Sequence, residues 1–90
     1  MILVDTTPVR NKGRIWFVMV SDQSLDELHT MDKKIGLRRE WLRDPDKMPH
    51  YEIVQEKRAQ AIQLGARPAA TKEIIQASER LARIKNCGVE

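Results

Sequence analysis

Apolar positions fall into two kinds of pattern along this chain. Ile2-Leu3-Val4 is an unbroken run of strand formers that stops at Asp5, and Thr6-Thr7-Pro8 cannot extend it. Arg10 to Gly13 follows as a polar connection. Arg14 to Val20 (RIWFVMV) is then almost continuously apolar, as expected of a strand buried on both faces. Trp16 and Phe17 alternate across that strand, so one can fill the core while the other lines a pocket.

From Ser24 the spacing becomes helical. Ser24-Leu25-Asp26-Glu27 has the S-x-x-E form of a capping box, with acids in the first turn and Lys33 and Lys34 in the last, before Gly36. Leu25, Leu28, Met31 and Ile35 make the buried stripe, and His29 lies on its border. Arg38 to Arg43 reads as a short strand-like piece around Trp41-Leu42, closed by a turn at Asp44-Pro45-Asp46. Glu52 is placed to cap a second helix over Ile53 to Leu64, with Gln55 as its partner and Gly65 as the stop. The stripe of that helix is Val54, Arg58, Ala61, Ile62 and Gly65. It turns a guanidinium toward the core or its edge, where Arg58 needs a carboxylate, backbone carbonyls or an anion. Ala66 to Ala69 is a short extended segment kept at an edge by Pro68. Thr71 is placed to cap the last helix, with Ile74, Ala77, Leu81 and Ile84 facing in and Lys72, Gln76, Arg80 and Arg83 facing out. The last residues are expected to fray.

This alternation predicts an α/β fold: one domain over residues 1–90, with a small mixed sheet of three or four strands covered by three helices. The link between the first two strands holds no helix, so those two should be antiparallel. A chain of 90 residues has room for one modest core. The single Cys87 has no disulfide partner within the chain, and the apolar opening is cut off by Asp5 too early for a signal peptide or a membrane span. A cytoplasmic location and no membrane partner are expected.

The net charge of +3 is uneven: residues 1–20 carry three bases and one acid, 21–46 five and seven, 47–90 eight and five. Basic ends suit a polyanionic partner.

The stretches MILVDTT, RIWFVMVSDQSLDELH, IGL, HYEI and KRAQAIQLGARPAATKEI together resemble a small family of bacterial and phage proteins catalogued only as a domain of unknown function. The positions that carry the likeness are Asp5, Trp16, Ser21 and Asp22, Glu27-Leu28-His29, His50-Tyr51 and Arg58. Glu52 stands where that pattern has an aspartate, and Asp32-Lys33 where it has small apolar residues, which implies looser packing of the first helix. The resemblance implies a bacterial or phage cytosolic protein and brings no activity with it.

Candidate chemistry rests on Asp5, His29, His50, Tyr51 and Arg58. If the tip of the first strand and the start of the second helix converge, Arg58 would hold a phosphate or carboxylate, with Tyr51 and Trp16 as walls. His50 would be the acid or base, with His29 a further catalytic candidate and Asp5 an orienting or metal-binding carboxylate. A phosphate-bearing ligand, nucleotide or nucleic acid, is the expected partner. No phosphate-loop, dinucleotide, zincin or nucleophile-elbow motif is present, no cofactor is named by the residues, and no metal site is assigned, since metal binding through Asp5, His29 and His50 would need three separate elements to meet. Enzymatic and binding roles both stay open. Two other readings are a nucleic-acid-binding module using Lys72, Arg80 and Arg83 with Arg10, Lys12 and Arg14, and an adaptor that meets a host protein through Trp41, Arg38, Arg39 and Arg43. Against all three stands a polar network that only holds the core together.

Overall fold

The long apolar run becomes the axis of the sheet. Strand β1 (Ile2–Asp5) lies antiparallel to β3 (Arg14–Ser21), with Val4 opposite Met19, and β4 (Tyr51–Ile53) lies antiparallel along the other edge, with Tyr51 opposite the same Met19. Strand β5 (Arg67–Ala69) runs parallel to β1 and sets Pro68 beside Val4, so the sheet is mixed. The structure, a computed structural model, describes residues 1–87, with side chains through Arg83. The fraying expected of the last residues and the inward face of Ile84 lie outside that description.

The sheet has five strands rather than three or four. The fifth is β2 (Val9–Asn11), paired antiparallel to the first half of β3 with Val9 opposite Trp16. Lys12 and Gly13 join the two strands with φ of 52° and 78°. Two successive left-handed residues give the tight hairpin turn whose twist matches that of the strands it joins. This stretch is therefore a hairpin and not a plain connection. It projects beyond the core: Ile15 is exposed and full burial of β3 begins at Phe17, so only its second half is covered on both faces.

Two further expectations are corrected around residue 50. Trp41-Leu42 does not form a strand; Arg39–Trp41 is a single 3₁₀ turn, and one backbone bridge joins Arg43 to His50. Glu52 does not cap a helix, because it sits in β4. A strand there buries both Tyr51 and Ile53 against β3, which a helix starting at Ile53 would forfeit, and burial of such a side chain is worth about 1.5–3 kcal/mol.

Helix α1 (Leu25–Lys34) starts as expected, the Ser24 hydroxyl accepting from Glu27 N–H at 3.0 Å. The box closes through a different serine. The Ser21 hydroxyl donates to the Glu27 carboxylate at 2.6 Å, and Ser21 Oγ accepts from Ser24 N–H at 3.1 Å. Helix α2 (Gln55–Gln63) opens from Val54 with no side-chain cap. In α3 (Thr71–Cys87) the capping carbonyl belongs to Ala70, which accepts from Ile74 N–H at 3.1 Å. Thr71 is thus the first helical residue rather than the cap, and its hydroxyl is free to reach Asp5.

The alternation of β1 and β3 divides the core. Ile2, Val4, Phe17, Met19, Tyr51 and Ile53 pack with Leu28, Met31 and Ile35 of α1 and Ala61 of α2. Leu3, Val20 and Ala69 meet Ile74 and Ala77 of α3 on the other face. Lys72, Gln76, Arg80 and Arg83 face outward as expected. Among the described residues no helix is long and apolar enough to cross a membrane.

Candidate functional site

Asp5 ends β1, and its buried carboxylate is fully engaged. It accepts from Thr7 N–H at 2.9 Å and from the Thr71 hydroxyl at 3.0 and 3.2 Å, which ties the start of α3 to the strand tip. Arg58 approaches the same residue from α2. Its Nε donates to the Asp5 carbonyl at 3.0 Å, and its guanidinium carbon lies 4.8 Å from the centre of the Phe17 ring. The Nε–H of Arg58 is thus met by a backbone carbonyl, and its guanidinium lies over an aromatic face.

His29 and Tyr51 meet elsewhere, beneath α1, and a third residue joins them. The Tyr51 hydroxyl donates to the Asp32 carboxylate. His29 Nδ1 is 3.2 Å from the same Asp32 oxygen and 3.1 Å from the Tyr51 oxygen. With the tyrosine proton given to Asp32, a hydrogen on His29 Nδ1 suits both of its oxygen neighbours. Burial, and then the bond to Asp32, push the Tyr51 hydroxyl well above the usual tyrosine value of 10. Asp32 itself is almost completely buried. In sequence it looked like a loosening departure from an apolar pattern; in the fold it is the acceptor that closes the cluster. Its i,i+3 spacing from the border residue His29 was the available signal.

His50 stands apart from both groups. Neighbouring strand residues point to opposite faces, so it turns away from Tyr51, and its Nδ1 lies 2.5 Å from the Met48 carbonyl. The five expected residues thus form an Asp5–Arg58 pair, a His29–Tyr51 pair and a separate His50. Among the described residues no group of three or more His, Cys, Asp or Glu is arranged to hold a metal ion.

A different concavity, of about 770 Å³, opens between the β2–β3 hairpin, the segment after α1, β4 and the start of α2. Both tryptophans of the chain, Trp16 and Trp41, line it. Leu37, Leu42, Ile53 and Val54 add apolar surface, and the charged residues are Lys12, Arg14, Arg43, Lys57, Glu40 and Glu52. Both carboxylates already have partners: Glu52 lies 3.6 Å from Arg43, and Glu40 lies 3.4 Å from Arg38, whose guanidinium also sits 5.9 Å from the Trp41 ring. Lys12, Arg14 and Lys57 have no ion pair among the described residues. Trp16, named from sequence as a wall residue, faces this groove, while Phe17 fills the core. The groove as a whole was hidden from sequence because two of its sides, the hairpin and β4, were read as other structures. Lys72, Arg80 and Arg83 are exposed on α3 and do not line this groove.

Comparison with curated proteins and with solved structures returned no match. A family model does match, over residues 2–81, and it covers nearly the whole chain. By that match the chain belongs to the family described as Protein of unknown function (DUF4031).

Proposed function

We propose that this chain binds a phosphate-bearing ligand, a nucleotide or a nucleic acid, in the groove walled by Trp16 and Trp41. The observation that carries this reading is a charge imbalance. Both acids of the groove are paired, while Lys12, Arg14 and Lys57 are left to face it beside two indoles. Such cations attract phosphate, and the indole faces accept a planar base. In this reading Arg58, Asp5 and the His29–Asp32–Tyr51 cluster support the scaffold, and no reaction is assigned to them.

Because both tryptophans of the chain lie in the groove, intrinsic fluorescence reports on it directly. Titration with a nucleoside triphosphate at low salt should change the emission and raise the melting temperature. Charge reversal at Lys57 (Lys57→Glu) should weaken both responses about tenfold. If neither nucleotides nor oligonucleotides perturb emission or melting, the proposal fails.

A second reading, the adaptor, draws on one feature: Trp41 is 53% exposed, with Arg38 stacked on it and Arg43 nearby. Tryptophan and arginine together are the usual anchors of protein interfaces. A partner held this way would be lost with Trp41→Ala and kept with Lys57→Glu. Nucleic-acid binding through α3 would instead be lost on reversing Arg80 and Arg83 and would leave tryptophan emission unchanged.

A further inference from the structure

Resting on the phosphate reading of the groove, we infer that its ligand is an unpaired nucleic-acid strand, with bases stacked on Trp16 and Trp41 and phosphates tracked by Lys12, Arg14 and Lys57. Three features carry this choice. First, the unpaired cations come from separate elements, the β2–β3 hairpin and α2, which border the groove with the two indoles. Cations spread over separate elements along one groove suit a polymer with a charge on every nucleotide. Second, there are two indoles, and a strand supplies a base for each. A duplex keeps its base faces stacked inside and offers neither indole a partner. Third, the groove carries none of the glycine-rich backbone that cradles a terminal triphosphate.

The ribose or deoxyribose is not distinguished by these features, since stacking and phosphate contacts are common to both. The experiment therefore compares five probes by tryptophan emission on the whole chain: oligothymidylate and oligouridylate of about ten nucleotides, a blunt duplex of equal length, thymidine triphosphate and inorganic tripolyphosphate. The expected result is that one of the two single strands binds at least about tenfold tighter than the other classes, the tighter one naming DNA or RNA. The logarithm of its affinity should fall with the logarithm of salt at a slope of about −2, as three displaced counterions require. Trp41→Ala should cost about tenfold in affinity, with Trp16 still reporting, and Lys57→Glu should cost a similar factor and flatten the salt slope. Circular dichroism of both variants shows whether they fold.

If thymidine triphosphate or tripolyphosphate binds as tightly as either strand, the inference is overturned while the phosphate reading survives. Equal binding of the duplex also overturns it. Silence from all five probes removes both.

Discussion

The polar cluster beneath α1 and the groove that opens beyond the neighbouring 3₁₀ turn handle charge in opposite ways. In the cluster, the Tyr51 hydroxyl donates to the buried Asp32 carboxylate, and His29 Nδ1 lies 3.2 Å from the same oxygen. In the groove, Lys12, Arg14 and Lys57 outnumber the acids available to them. The two regions almost touch, since the Tyr51 oxygen lies 3.5 Å from the carbonyl of Arg39 in the turn that carries Trp41. The difference separates scaffold from site. A network that has spent its hydrogen bonds internally fixes geometry, whereas capacity left unspent at the surface is what a ligand can use.

The sharpest way to break this division is Asp32→Ala. It leaves the Tyr51 hydroxyl and the His29 ring without their acceptor inside the core, at an expected cost of about 3 kcal/mol in denaturant unfolding. Exchanging two of the three partners, Asp32→Leu with Tyr51→Phe, should recover part of that loss, because the fully buried tyrosine hydroxyl is then no longer stranded and only the partly exposed His29 ring loses its acceptor. If Asp32→Ala costs less than about 1 kcal/mol, the cluster is not holding the fold, and its chemistry becomes the more interesting of the two regions.

A smaller loss is expected from Arg58→Ala, about 2 kcal/mol, made up of one hydrogen bond to the Asp5 carbonyl and the stacking on Phe17. Ligand-induced changes in tryptophan emission should survive in this variant at temperatures where it is folded. Loss of those changes with stability intact would move the site to the tip of β1, where Arg58 would be the anion-holding group after all.

Local patterns were legible in the chain where one element decides them alone. The strand of Ile2 to Val4, the Ser24 cap, the stripe of α1 and the two-faced α3 all depend on neighbours within a few residues, and each is found where its pattern put it. Arg58 likewise announced itself by lying on an apolar stripe, and it does reach the end of β1. What was not legible depends on distant partners. Tyr51-Glu52-Ile53 becomes a strand because β3 offers it an edge, and Asp32 is buried because Tyr51 arrives from another element to meet it. The hairpin was missed because Lys12-Gly13 is a less obvious left-handed pair than Asn-Gly. The groove needed all these elements at once, so only its individual residues could be named beforehand.

The mildest test probes the closed region by pH. Tyr51 holds its proton in the fold well above the usual value of 10, owing to burial and to the bond it gives Asp32. Below pH 10 the folded and unfolded chains both keep that proton, so the stabilisation is fully present. Above it the unfolded chain releases the proton while the folded chain does not, and stability falls by at most about 1.4 kcal/mol per pH unit. Tyr51 is the only tyrosine in the chain, so Tyr51→Phe should flatten this alkaline slope in urea titrations at successive pH values. An alkaline slope of the same size in Tyr51→Phe as in the parent chain would show that the proton in question is not held by the cluster, and the contrast between a closed scaffold and an open site would lose its electrostatic basis.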